Sequence, residues 1–207
     1  VWGTLFFMAG MPWIWIAALA VLGLSGIGLA YLMLPHVTAR LDRFFDPASG
    51  DTYQVDTAIS AFIRGGWLGR GPGEGTVKSV LPDSHTDFVF AVAAEEFGIL
   101  VCLLLVGLYA FIVLRVLLKS YNERDTFTRF AAAGLIVMFG LQALINMAVN
   151  LQLLPAKGMT LPFISAGGSS LLSMSLAIGM VLGLTRRRTD QETLRKFERG
   201  PIAGAIH

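Results

Sequence analysis

Four stretches of this chain carry no charged side chain: Val1 to Ala39, Phe97 to Leu114, Phe130 to Ala156 and Gly158 to Thr185. Crossing the hydrocarbon of a bilayer takes about 20 apolar residues in helical form, because only a helix or a closed barrel satisfies its backbone there. The first stretch is too long for one helix and contains Gly10 and Pro12. It divides into the end of one span, Val1 to about Ala9, and a complete span from Trp13 to about Leu34. Further spans are expected near Phe88 to Leu117, Thr128 to Asn150 and Gly168 to Leu184. The fold class is therefore all-α: a polytopic integral membrane protein with four complete transmembrane helices and part of another. Composition agrees, since 14% of residues are charged where soluble proteins carry about a quarter. The chain opens in mid-hydrophobic stretch without the charged n-region of a secretory signal, and we expect it to be the C-terminal part of a larger membrane protein.

Orientation follows from the basic flanks of the spans. Arg115, Lys119, Arg124 and Arg129 lie between two spans, and Arg186, Arg187, Arg188, Arg195, Lys196 and Arg199 follow the last. These flanks are expected in the cytoplasm, which puts residues 151–166 and the long segment of about 35–87 outside. Within that outer segment, Val55, Ile59 and Phe62 recur at spacings of four and three between Gln54 and Arg64. This is the pattern of a short amphipathic helix at or dipping into the interface. The glycine-rich run Gly65 to Gly73 then ends it. Residues 1–188 read as one transmembrane domain and 189–207 as a polar cytoplasmic tail. That tail is read as positive-inside topology, not as a nucleic-acid site.

Few polar residues are left in or beside the spans. Leu81-Pro82-Asp83-Ser84-His85-Thr86-Asp87-Phe88 precedes a helix, with Glu95-Glu96 two to three turns further on. Ser84 or Thr86 capping that helix, with Asp87 serving its dipole, is one reading. The other makes Asp87 a general base at the rim of a cavity. Ionisable groups inside a span normally face a polar cavity or a partner. An ideal helix sets Glu95 about 80° from Asp87 and Glu96 about 180° away. Glu95 is thus the better candidate for a shared cavity, while Glu96 is expected to pair elsewhere.

A second constellation runs from Leu154 to Ser170, where Pro155, Pro162, Gly158, Gly167 and Gly168 break the helix inside an apolar zone. Irregular backbone at membrane depth is tolerated only where protein buries it or it lines a watery cavity. Gly167-Gly168-Ser169-Ser170 opens the last span with small side chains and amides suited to an anion. Lys157 is the one charge between Arg129 and Arg186; it either snorkels to the interface or faces the cavity of Asp87, to which topology assigns the same side. Cys102 is the single cysteine, so no intrachain disulfide or four-cysteine zinc site exists. His36, His85 and His207 lack metal-ligand spacing.

Together these strings resemble the SEDS family of bacterial membrane proteins (shape, elongation, division and sporulation), most closely its cell-division branch. The resemblance rests on Arg40-Leu41-Asp42-Arg43 with Asp46-Pro47, Gln54, Gly65 to Gly73 and Lys78. It continues through Leu81-Pro82, His85-Thr86-Asp87-Phe88 and Glu95-Glu96-Phe97-Gly98. Asn146, Leu154-Pro155, Lys157-Gly158, Leu161-Pro162-Phe163 and Ser165 to Ser170 complete it. Ala166, where the family commonly has Tyr, and Pro72-Gly73-Glu74 depart from the pattern. The resemblance implies a peptidoglycan glycosyltransferase that polymerises lipid II at the outer face of the bacterial inner membrane, at the division septum. It implies Asp87 as the catalytic residue. The substrate-binding candidates are Lys157, Lys78, Arg64, His85, Glu95, Ser165, Gly168, Ser169 and Ser170. It further implies a class B penicillin-binding transpeptidase and other divisome membrane proteins as partners. A divalent cation (Mg or Mn) is the cofactor considered; no organic cofactor is expected. Two other classes fit an intramembrane Asp, Glu and Lys among broken helices: a lipid flippase or transporter, and a non-catalytic divisome scaffold. The polar residues cluster at one rim, which favours a one-sided enzyme over transport.

Overall fold

The computed structural model describes residues 1–45, 53–80, 84–155 and 158–186, and within them the chain is all helix, turn and loop. Lys157, Asp46-Pro47, Leu81-Pro82 and the tail at 189–207 lie outside the described residues. The helices are α1 (Trp2–Met8), α2 (Trp13–Met33), α3 (Pro35–Phe45), α4 (Tyr53–Gly65), α5 (Val77–Val80), α6 (Val89–Tyr121), α7 (Thr126–Asn150) and α8 (Gly168–Thr185). Among the described residues four of them, α2, α6, α7 and α8, are long and apolar enough to cross a membrane. The protein is a polytopic membrane protein.

The packing follows from side-chain size. α7 buries Ala132, Ala133 and Ala143 completely, so neighbouring backbones approach closely, as helices in lipid require. Phe90, Ala94, Cys102 and Tyr109 of α6 meet Ile136, Phe139, Ala143 and Met147 of α7, with Leu161 completing the cluster. Asp125 caps α7, its carboxylate accepting from Thr128 N at 2.9 Å. α2 buries no residue and is apolar on every side, as expected of a lipid-facing helix. Arg129, at the start of α7, donates to the carbonyl of Met8 at the end of α1.

The 35–87 segment contains more helix than its sequence suggested. Pro35 looks like the terminator of α2, yet it opens α3, since proline at the first helical position loses no needed N–H. Thr38 ties the corner by donating to Tyr31 O at 2.5 Å, and Tyr31 donates to Asp42 Oδ1 at 2.9 Å. The expected amphipathic helix is α4. Its buried face is Ala58 and Ala61 with Phe62 beside them, and the Phe62 and Phe90 rings lie 5.7 Å apart. α4 is thus docked along the first turns of α6.

α6 is not one continuous helix. Gly98 has φ 80° and ψ 176°, and the glycine-rich run after α4 fills the break. Arg70 N and Gly71 N donate to the carbonyls of Glu95 (2.9 Å) and Glu96 (3.0 Å). On the far side, Ile99 N donates to Gly66 O at 2.9 Å and Leu100 N to Trp67 O at 3.4 Å. The loop therefore supplies the partners that the helix loses. Gly98 lies about 14 Å along α6 at 1.5 Å per residue, so α4 and its loop reach well past the start of the span.

Candidate active site

The antiparallel order brings the start of α6, the end of α7 and the start of α8 to one end of the bundle. Arg115, Lys119, Arg124, Arg129 and Arg186 flank the opposite helix ends. At the first end two irregular segments, 84–88 and 158–167, are knotted together. The carbonyls of three successive residues are engaged. His85 O accepts from Ala166 N at 2.9 Å, Thr86 O from Ser165 Oγ at 2.5 Å, and Asp87 O from Asn146 and Asn150 Nδ2, both at 2.9 Å. Ser165 Oγ also accepts from Leu161 N at 2.8 Å, which makes its buried hydroxyl a clasp between the two segments.

The second segment is held from beneath as well. Tyr109 donates to Pro162 O at 2.5 Å, Gln142 Nε2 to Thr160 O at 3.0 Å, and Asn146 Nδ2 to Met159 O at 2.5 Å. These anchors hold Phe163 at φ 64°, a left-handed conformation that costs a non-glycine residue about 1–3 kcal/mol. The side chain of Asp87 is directed at the same segment: a Cβ added to Gly158 would lie 3.2 Å from Asp87 Oδ2. A side chain at 158 would press on the carboxylate at that distance.

Phe88 occupies the N-cap position of α6 and its side chain makes no capping bond. Ser84 donates to Lys78 O instead. The capping acceptor comes from another helix, since Asn150 Oδ1 accepts from Ala91 N at 3.2 Å.

The remaining candidates form a second centre around the α6 break. Glu95 is fully buried. Its carboxylate accepts from Thr76 Oγ1 at 3.0 Å and from Val77 N at 2.8 Å, with Arg70 NH1 3.9 Å away. Arg64 NH1 donates to Thr76 Oγ1 at 3.2 Å. Glu96 pairs with Lys78 at 2.8 Å, and Lys78 Nζ also donates to Gly73 O at 2.8 Å. Gly75 lies close under both carboxylates, since a Cβ there would lie 3.0 Å from Glu95 Oε2 and 3.2 Å from Glu96 Oε1. The two carboxylates therefore clamp residues 73–78 onto α6.

The structure thus gathers Asp87, His85 and Ser165 into one knot and Glu95, Arg64 and Lys78 into another. Gly168, Ser169 and Ser170 open α8, where Ser170 Oγ donates to Gly167 O at 3.1 Å. Among the described residues no three His, Cys, Asp or Glu side chains converge as a metal site. Sequence reasoning gave no role to Asn146, Asn150, Gln142 or Tyr109. Asparagines spaced by four in an apolar span share one helix face, and that was the available signal.

Fold and site together define a polytopic membrane protein with a carboxylate held in a knot of broken backbone at one end of its helices. Residues 1–190 match the model of the FtsW/RodA/SpoVE family, described as "Cell cycle protein", and the chain belongs to that family. It is 52% identical over 186 residues to the probable peptidoglycan glycosyltransferase FtsW of Caulobacter vibrioides, covering 90% of this chain and 48% of the relative. The corresponding protein of Saccharophagus degradans is 38% identical over 199 residues, covering 92% of this chain and 51% of the relative. A solved structure reported as "Structural coordination of polymerization and crosslinking by a peptidoglycan synthase complex" superposes with a TM-score of 0.70 at 29% identity. That match covers 90% of this chain and 53% of the solved one. The chain spans about half the length of these relatives.

Proposed function

We propose that this chain is part of a peptidoglycan glycosyltransferase that polymerises lipid II at the division septum, from the outer face of the bacterial inner membrane. The observation that carries the reading is the carboxylate of Asp87 lying against the Gly158 backbone, within the knot that joins segments 84–88 and 158–167. The names of the relatives support the reaction class. The basic residues at the opposite helix ends support a cytoplasmic placement of that end.

Glycan polymerisation needs a base for the attacking sugar hydroxyl and positive charge for the departing pyrophosphate. Asp87 takes the hydroxyl proton as the new glycosidic bond forms and the bond to pyrophosphate breaks. Lys157, directly before Gly158 in the chain, and the amides opening α8 at Gly168, Ser169 and Ser170 receive the pyrophosphate. His85 and Ser165, in the knot with Asp87, complete the substrate set. Glu95, expected to share that cavity, is instead buried in the second centre with its carboxylate bonded to Thr76 and Val77, and supports the site from there. Arg64 and Lys78 would reach a phosphate by exchanging their internal partners for it. A divalent cation, if bound, would add charge beside the pyrophosphate; among the described residues no cluster of His, Cys, Asp or Glu is arranged to hold one, and no step here is routed through it. A class B penicillin-binding transpeptidase is the proposed partner, in keeping with the synthase complex to which the fold is similar.

The test is lipid II polymerisation by the full-length protein with its transpeptidase. The described bonds to residue 87 from Asn146 and Asn150 reach its carbonyl, which Asp87→Asn retains. That variant is expected to lose turnover by at least about 10²-fold, the usual scale of general-base catalysis, while still binding lipid II. Lys157→Met should instead weaken binding. Glycan chains made by Asp87→Asn at the wild-type rate would refute the base assignment.

A further inference from the structure

The last turn of α7 carries two asparagines that lie deep in the protein, Asn146 at 1% and Asn150 at 0% exposure. A buried carboxamide in an apolar helix is costly unless its hydrogen-bonding groups are used. Asn150 uses both of its ends. Its Nδ2 donates to Asp87 O and Asn146 O, and its Oδ1 accepts from Ala91 N. It therefore grips the chain on both sides of the turn from which α6 starts.

Asn146 does something different. Its two N–H groups go to two carbonyls on separate segments, Asp87 O at 2.9 Å and Met159 O at 2.5 Å. Its amide cannot be turned round, since that would set Oδ1 against both carbonyl oxygens. The orientation is kept although Oδ1 is then buried without a partner among the described residues. Met159 adjoins Gly158, the residue whose backbone the Asp87 carboxylate faces. One side chain thus bonds both the residue bearing the carboxylate and the residue next to Gly158 in the segment opposite it.

We propose that Asn146, seconded by Asn150, is a positioning residue: by bonding the Asp87 and Met159 carbonyls it keeps residue 87 in register with the 158–159 backbone, so that the carboxylate is aimed at the substrate hydroxyl, acting through Asp87 and not on substrate. The proposal rests on the reading of Asp87 as the base. A purely structural role would be shared with Gln142, which also bonds the second segment from α7, at Thr160 O and Oγ1, but does not touch residue 87. Gln142→Ala is therefore the control.

The experiment measures kcat for lipid II polymerisation, Kd for lipid II and the thermal denaturation midpoint, in the full-length protein with its transpeptidase. Asn146→Ala is expected to lower kcat by about 10²-fold, the scale of a misplacement of roughly 1 Å, with Kd unchanged within a few-fold. Asn150→Ala should lower kcat less, because Asn146 still holds Asp87 O. Gln142→Ala should lower the midpoint as much as Asn146→Ala does and leave kcat near wild type. Should Asn146→Ala fail to fold, Asn146→Ser, which keeps one donor, carries the test with a smaller kcat loss at the same Kd. A wild-type kcat in Asn146→Ala, or an equal kcat loss in Gln142→Ala, overturns the proposal. Asp87→Asn in the same assay separates the two claims. If it polymerises, the base reading falls and this one with it; if it is inactive while Asn146→Ala turns over normally, only the positioning role falls.

Discussion

Replacing Gly98 with alanine tests whether the break in α6 is built by the glycine-rich loop. At φ 80° and ψ 176° an alanine is strained by about 1–3 kcal/mol. Its Cβ would also lie 2.5 Å from Gly69 N and closer still to Trp67 O, so the loop cannot remain where it is. The alternative is for α6 to straighten and pair Ile99 N with Glu95 O internally. Arg70 N, Gly71 N, Gly66 O and Trp67 O would then lose the partners they have on α6. Each such group, where water does not reach, costs about 1–3 kcal/mol. Either route costs about 3 kcal/mol or more. Gly107 is the control: it lies on the same helix with nothing within 4 Å of an added Cβ, and alanine there should stabilise by about 0.5–1 kcal/mol. The assay is thermal denaturation of the full-length protein in detergent, following the folded fraction of both variants. Equal midpoints for Gly98→Ala and Gly107→Ala would refute the account of the break.

The clamp on the loop makes a second prediction. Glu96→Gln and Lys78→Met should each destabilise the protein, and their double-mutant cycle should show coupling of about 0.5–3 kcal/mol; additive effects would mean that the 2.8 Å pair contributes nothing. Tyr109→Phe deletes the donor to Pro162 O without changing the ring, and a loss of about 1 kcal/mol is expected from denaturation midpoints. Asp125→Ala removes the cap of α7 and should cost about 1 kcal/mol, read in the same measurement, with no effect on lipid II turnover at the far end of the bundle.

How far the sequence could be read depended on the range of the interaction. The spans were legible because lipid excludes charge, and the helix limits at Trp13, Asn150 and Gly168 follow the places where charge, proline or glycine returns. α4 was legible as a helix through its periodicity. Its buried face, however, is Ala58 and Ala61 with Phe62, turned from the Val55, Ile59 and Phe62 stripe that the spacing marks, because small residues let it lie close on α6. α3 was not legible, because Pro35 reads equally as the stop of one helix and the start of the next, and only the Tyr31 and Thr38 bonds distinguish the two. The Gly98 break was also hidden. Glu95-Glu96-Phe97-Gly98 scans as continuous helix, and a glycine within a span is ordinary; what breaks it is a loop near residue 70 seated against it. The origin of the α6 cap escaped for the same reason. Ser84 and Thr86 are local and were the natural candidates, whereas Asn150 is 59 residues away from the amide it caps. Asp87, His85 and Ser165 were picked out by residue type and motif, but their union in one knot depends on carbonyls, which every residue has.

The two centres are mechanically one. The first part of α6, from Val89 to Gly98, is gripped at its start by Asn146 and Asn150 and at its end by the loop that fills the break. α4 runs alongside it through Ala58, Ala61 and Phe62. A continuous α6 would transmit any movement of the rest of the helix directly to the turn that carries Asp87. At the break the hydrogen-bond partners change from helix to loop, and below Gly98 the helix packs on α7 through Cys102 and Tyr109. Above it, the short segment answers to the glycine-rich loop and to the end of α7. Glu95 and Glu96 sit at that junction, and their carbonyls and carboxylates are both taken up by the loop. Their cost at membrane depth is offset by hydrogen bonds that also fix the platform on which Asp87 stands. That gives a physical reason for two consecutive acidic residues in an apolar helix without requiring either one to touch the reacting atoms.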